Sequence, residues 1–349
     1  RVEVFRTQDF RRLLRCSRPA VLEAMSLLWL TAFALALLVL ALRWAAMPLR
    51  AAAARRRASA GDQADRDAWF ARGVSGRCYL SLIIPAYNER DRLPEMLRAA
   101  AKYLLTRRAA DAKFTFEVLV VDDGSSDGTS AVAAALGAAL FGNNSTATSF
   151  RVAALRSNRG KGGAVREGAL RSRGDWVLVV DADGATSIAD VERLEREARA
   201  APGDDEGRCL EPVVVCGSRA HLVATDAVAT RSPLRNALMV AFHLAVGVVG
   251  GVRGVRDTQC GFKLLSRAAA KTALGALNIE RWAFDVELLF LALRLGFEVG
   301  EVAVTWHEVD GSKLSIATDS LQMARDIACV RFAYTAGLWQ LPERPAAAP

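Results

Sequence analysis

Asp181 and Asp183 stand two residues apart where a short apolar run closes, and Gly184 follows them. A turn at Asp183-Gly184 would converge the two carboxylates. Together with a diphosphate they would hold Mg2+ or Mn2+, hard cations that take oxygen ligands. Such a metal offsets the charge that builds on a leaving diphosphate. A solvated turn is the alternative for D-A-D-G taken alone. Asp122-Asp123-Gly124-Ser125 closes another apolar run. A carboxylate there would accept the N3–H of a pyrimidine; alternatively Ser126, Asp127 or Thr129 merely caps the next helix. Lys161 sits among Gly160, Gly162 and Gly163, which would let it approach a phosphate closely, or it marks a basic surface turn. Two further polar clusters follow apolar runs: Pro85-Ala86-Tyr87-Asn88-Glu89 and Gly217-Ser218-Arg219. There is no G-x-x-x-x-G-K-[ST] loop, and the three histidines form no H-E-x-x-H pattern, so P-loop hydrolysis and zincin chemistry lack their residues.

These clusters need elements that bring them together. Apolar runs at 80–84, 117–121, 151–155, 176–180 and 213–216 alternate with Ala/Leu/Arg-rich stretches at 92–105, 129–140, 163–172 and 188–199. That alternation predicts an α/β domain with a doubly wound, mostly parallel sheet. Such sheets bind ligands beyond the carboxyl ends of their strands, where all five clusters fall.

The chain has 349 residues, 52% hydrophobic and 24% charged, which argues against extensive disorder. Six scattered cysteines form no C-x-x-C pair and suit a reducing compartment. The net charge of +8 resides in the first 60 residues, with eleven Arg and three acids; the remainder is neutral. A nucleic-acid-binding body would carry its own excess, so no nucleic-acid partner is expected. The basic residues instead bracket residues 24–42, an uncharged run whose nineteen residues match the thickness of a bilayer. The expected organisation is a short segment 1–23, a transmembrane helix 24–42, a basic juxtamembrane linker 43–76, a folded domain 77–339 and a flexible tail 340–349. A cleaved signal sequence is the rival for 24–42. Arginines on both sides leave the orientation open. The chain opens on Arg rather than Met, so residues are expected upstream. Residues 237–252 and 320–339 read as helices in a lipid interface, with core packing as the alternative for both. Gly137–Ser149 reads as a surface loop.

In order and spacing, Pro85-Ala86-Tyr87-Asn88-Glu89, Val121-Asp122-Asp123-Gly124-Ser125, Asn158-Arg159-Gly160-Lys161-Gly162 and Asp181-Ala182-Asp183-Gly184 resemble the inverting GT-A glycosyltransferases of family 2. Arg256-Asp257-Thr258-Gln259-Cys260-Gly261-Phe262-Lys263, Glu280-Arg281-Trp282-Ala283-Phe284-Asp285-Val286-Glu287 and Gly311-Ser312-Lys313-Leu314 are similar to the family's dolichyl-phosphate β-glucosyltransferase branch. The resemblance spans about residues 80–339 and the N-terminal anchor.

It implies UDP-glucose as donor, dolichyl phosphate as acceptor, and an endoplasmic reticulum membrane location with the domain in the cytosol. It places Pro85, Tyr87, Glu89, Asp123 and Lys161 around the nucleotide, and Asp181 and Asp183 on metal and diphosphate. Ala185 stands where related mannosyl enzymes carry a Gln that joins the metal. The acceptor is already an anion near neutral pH, so the site needs cations more than a strong base. Arg219, Arg231, Arg235, Lys263 and Lys313, with Ser312, are the acceptor-phosphate candidates; Arg219 and Lys313 also count as catalytic beside the two aspartates. Asp257 and Asp285 would orient the sugar; alternatively Asp257 pairs with Arg256 and Asp285 is structural. Two other readings stand: a mannosyltransferase using GDP-mannose, and an inactive membrane-tethered nucleotide-binding scaffold. Two overlapping glycosylation sequons at Asn143-Asn144-Ser145-Thr146 should be unused if the domain is cytosolic.

Overall fold

The structure, a computed structural model, describes residues 35, 38–39, 41–71, 76–142, 144–200, 212–221, 247, 250–252, 254–309 and 316–345, with residues 55–61 described by backbone alone. The chain divides into two units, residues 1–50 and 51–349. In the first unit the described residues are almost all helical, with Leu35, Leu38, Val39 and Leu42 exposed. Most of the anchor expected at 24–42 lies outside the described residues, as do Arg231, Arg235, Ser312, Lys313, Asn143 and most of 237–252. Among the described residues no helix is long and apolar enough to cross a membrane.

The second unit is built on one seven-stranded sheet, ordered β3-β2-β1-β4-β6-β5-β7. The strands are β1 (Cys78–Ala86), β2 (Phe116–Asp122), β3 (Thr148–Ala154), β4 (Gly174–Val179), β5 (Val213–Ser218), β6 (Lys263–Ser266) and β7 (Glu298–Ala303). Six strands run one way; β6 alone is reversed, pairing antiparallel with β4 and β5. The expected mostly parallel sheet is therefore present, with each of the five sequence-read strands in place. β6 and β7 were not foreseen.

Helices α1 (Met47–Ala71), α2 (Leu93–Ala110), α3 (Thr129–Phe141), α4 (Lys161–Arg171), α5 (Val191–Ala198), α6 (Phe284–Arg294) and α7 (Ile316–Thr335) flank or follow the strands. Consecutive strand residues face opposite sides, and here both sides are covered. Leu80, Leu82 and Ile84 join the cluster that holds Leu93, Met96 and Leu97 of α2 and Phe141 of α3. Ile83 points the other way, so close to α4 that a Cβ on Gly168 would meet its Cγ2 at 2.5 Å. Leu82 and Ile83 are both fully buried, each stabilising the fold by about 1.5–3 kcal/mol in transfer free energy.

The structure adds detail in three places. Residues 47–71, inside the expected juxtamembrane linker 43–76, form a helix: their alanines and arginines are good helix formers, and its charged face is paired to the domain. The loop expected over 137–149 is shorter, because α3 runs to Phe141 and β3 starts at Thr148. The 320–339 segment falls largely in α7, which buries Ile327, Val330 and Ala333 while exposing Leu321 and Phe332; it is core on one face and open on the other.

Candidate active site

The rim at the carboxyl ends of β1, β2, β4 and β5 gathers the chemistry. Because β6 is reversed, the residues before it reach the same rim. After β1 the chain turns through Asn88 at φ +53°. It is held there by the turn after β2: Asn88 N–H donates to Ser125 Oγ (2.8 Å), Ser126 N–H to Asn88 Oδ1 (2.9 Å) and Glu89 N–H to Thr129 Oγ1 (2.8 Å). Thr129 and Ser125 thus brace this turn as well as flanking the next helix. Asp122 is likewise engaged, accepting from Ser125 N–H and Ser130 Oγ.

Asp123 receives two backbone donors at once, Arg159 N–H on Oδ1 and Gly160 N–H on Oδ2, each at 2.7 Å. Burial still wins and pushes its carboxyl up to about 6. Pro85 lies in β1 opposite Val121, while Tyr87 is 40% exposed at the mouth. Glu89 is in a two-pronged ion pair with Arg92, at 2.6 and 2.8 Å. Arg92 is a residue the sequence reading passed over. The hydrogen bond and charge of Glu89 hold its pKa up against burial, with smaller contributions from the fields of Asp183 and Asp181. Met96, one turn further along the same face, sits 3.5 Å from where a Gly184 Cβ would be.

Asp181 Oδ1 pairs with Lys161 Nζ at 2.6 Å. Burial opposes its charge, yet the ammonium holds Asp181 below the usual carboxylate range; Lys161 is raised in turn, chiefly by Asp181 and then Asp285. Gly184 at φ +71° makes the anticipated turn, and Asp183 Oδ1 accepts Ala185 N–H at 3.0 Å. The chain leaving β7 pairs with this turn, Thr186 bridging Trp306 and His307 N–H donating to Ala185 O at 3.0 Å. Trp306 and His307 thereby join the rim; no motif in the sequence marked them.

The glycines of 160–163 answer to protein contacts. A Cβ on Gly160 would meet Glu280 O at 2.6 Å, and one on Gly162 would meet Ile279 O at 2.8 Å. This locks the Lys161 turn against the segment leading into α6.

Arg219 is gripped along one guanidinium edge by both oxygens of Asp257, Nε donating to Oδ2 at 2.7 Å and Nη2 to Oδ1 at 2.9 Å, and lies 5.7 Å from the centre of the Trp306 ring. Asp257 therefore pairs with Arg219 and not with Arg256. Lys263, expected at the acceptor phosphate, is a correction. It is 2% exposed inside the sheet and donates to Cys260 O (2.6 Å) and Thr258 O (3.2 Å), with Asp285 Oδ1 at 2.7 Å. A reversed strand places it between Val179 and Cys216, out of solvent. Asp285 is correspondingly the buried counter-charge, its carboxyl pushed up by burial against the pull of Lys263 and Lys161. Glu287 is structural: it accepts from Asn278 N–H (2.9 Å), Ile279 N–H and Tyr334 O–H (2.8 Å).

Among the described residues no cluster of three His, Cys, Asp or Glu could cage a metal. Two carboxylates on one turn instead suit a hard cation completed by a substrate's phosphate oxygens and water.

A family model described as glycosyl transferase family 2 matches residues 81–206. The chain is 47% identical over 263 residues to the dolichyl-phosphate beta-glucosyltransferase of Dictyostelium discoideum, covering 75% of this chain and 77% of that protein. It is 47% identical over 264 residues to the Mus musculus protein of the same name (76% and 78%), and 42% identical over 263 residues to that of Saccharomyces cerevisiae (75% and 77%). The solved Mycobacterium tuberculosis glucosyl-3-phosphoglycerate synthase in complex with Mn2+ and UDP-glucose is 18% identical, with a TM-score of 0.44 over 80% of this chain and 84% of that one. With such identity across three quarters of the chain, and the strand-end motifs on one rim of a mostly parallel GT-A sheet, this protein belongs to the dolichyl-phosphate β-glucosyltransferases of glycosyltransferase family 2.

Proposed function

We propose that the protein transfers glucose from UDP-glucose to dolichyl phosphate with inversion, releasing UDP and dolichyl β-D-glucosyl phosphate for N-glycan precursor assembly. One observation carries the reading: Asp123, the Lys161–Asp181 pair and Asp183 share one rim, in a chain 47% identical to enzymes named for this reaction.

In this reading Asp123 accepts the uracil N3–H, with Pro85 and Tyr87 lining the base and Glu89 acting through Arg92. Lys161 and Arg92 present positive charge to the diphosphate, and Asp181 and Asp183 hold Mg2+ or Mn2+. When bound, that cation offsets charge developing on the departing diphosphate. An oxygen of the acceptor phosphate attacks the anomeric carbon opposite UDP; the new C–O bond forms as the bond to the β-phosphate oxygen breaks. Since the nucleophile is already anionic, no side chain needs to remove its proton. Arg219, aimed by Asp257 at the acceptor side, together with Ser312, Lys313, Arg231 and Arg235, counters the repulsion between the two phosphates. Residues 24–42 anchor the enzyme in the endoplasmic reticulum membrane, with the catalytic domain in the cytosol.

The test is transfer of labelled glucose or mannose from UDP-glucose or GDP-mannose to dolichyl phosphate, with and without a chelator. Metal-dependent transfer from UDP-glucose alone is the expected result. Transfer from GDP-mannose, or UDP binding without any transfer, refutes the reading.

A further inference from the structure

Helix α1 touches the rim at one remove. Asp62, Asp65, Arg66 and Trp69 recur at the spacing of a single helical face, and each is engaged by the catalytic domain. Trp69 is 8% exposed against Leu119 and Ala153. The Arg151 guanidinium lies 3.3 Å from its ring centre and donates to Trp69 O at 2.7 Å. Arg66 pairs with Glu167 at 3.3 Å, and Asp65 with Arg156 at 2.9 Å.

Asp62 pairs with Arg159 at 3.2 Å. The same guanidinium also holds Glu280 at 2.7 Å and Glu167 at 3.2 Å, so its position is set from two helices and the segment leading into α6. The backbone N–H of Arg159 and that of Gly160 are the two donors that fix both oxygens of Asp123. A short, continuous route therefore runs from α1, through one side chain, to the carboxylate under the nucleotide pocket. Asp65 offers a contrast on the same face: its partner Arg156 has an 83% exposed side chain and, among the described residues, makes no hydrogen bond to Asp123.

We infer that Asp62 is a positioning residue for the nucleotide pocket: through Arg159 it sets the backbone donors that orient Asp123, so the helix before the catalytic domain is part of the donor site. The inference rests on the reading that Asp123 meets the nucleotide base.

The test is calorimetric binding of UDP to the full-length enzyme and to D62A, D62N, D62E and D65A, paired with steady-state kinetics and unfolding midpoints. D62A and D62N should weaken UDP binding and raise the donor KM about fivefold, the scale of one partly buried ion pair. Acceptor KM, kcat and the unfolding midpoint stay near wild type. D62E restores affinity to within about twofold, and D65A leaves it unchanged. If D62A binds UDP as tightly as wild type, or if D65A weakens binding equally, the positioning role is wrong. A wild-type enzyme that does not bind UDP overturns the nucleotide reading first, and this inference with it.

Discussion

Gly261→Ala adds one methyl group at the most crowded point of the rim. The new Cβ would lie 2.5 Å from Cγ and 2.6 Å from Oδ1 of Asp181, and closer still to Oδ2. An ordinary C···O approach is about 3.3 Å, so the carboxylate must retreat by roughly 1 Å. Gly261 does not sit at positive φ, so alanine is tolerated by the backbone; it narrows the unfolded ensemble by about 0.4–1 kcal/mol. Crowding offsets that gain, and the unfolding midpoint should move little. Function should not survive as well. With Asp181 organising the diphosphate as proposed, displacing it by about 1 Å should cost roughly a hundredfold in kcat, or about 2.7 kcal/mol of transition-state stabilisation. Gly137→Ala is the matched control. Its Cβ would fall within the Phe150 ring, which stacks on Phe141 at 5.4 Å. Overpacking there should lower stability by about 1–3 kcal/mol and leave kcat alone. Initial rates of glucosyl transfer and thermal unfolding of both variants decide the matter. A G261A enzyme with wild-type kcat, or one whose loss merely tracks unfolded protein, refutes the placement of Asp181 at the reaction centre.

Asp183→Ala should lower kcat by at least about a thousandfold, and added Mg2+ or Mn2+ should not rescue it, because two carboxylates on one turn suffice only together. The donor KM should depend on pH through Asp123, whose carboxyl is raised to about 6. Only the ionised form accepts the base N3–H, so KM rises as pH falls through about 6, and the step vanishes in D123N. Fold stability moves the other way: the folded chain holds this proton between about pH 4 and 6 where the unfolded chain does not, so the group's contribution is full at acid pH and lost as pH rises through that window. Glu287→Gln replaces a fully buried acceptor of four groups; the unfolding free energy should fall by about 2–4 kcal/mol with kcat unchanged, measured by denaturant titration and initial rates.

Of the five strands read from the sequence, β1, β2, β4 and β5 were legible as compact Val/Ile/Leu-rich runs ending in polar residues, the pattern of a strand buried on both faces; β3 at the sheet's edge is only partly buried. β6 escaped because it is only four residues long and starts with a lysine, and β7 because its Glu298 and Glu301 suit a half-open edge. Helix α1 carries no apolar stripe; charged partners far along the chain hold its docking face. Within the site, the order of strand-end motifs correctly pointed to one rim. It did not reveal which charges cancel. Lys263 reads as a free cation until the sheet closes over it, and the partner of Asp257 is 38 residues upstream rather than next door. Arg92 announces nothing by itself; it matters only once Glu89 and the D-A-D-G turn are folded around it.

The lone reversed strand has an evolutionary side. Because β5 and β6 are antiparallel neighbours, the connection over residues 219–262 departs from and returns to the same end of the sheet. Lengthening, shortening or rewriting it leaves the sheet's strand order untouched. The architecture thus lets the length of this connection vary without any strand changing its neighbours.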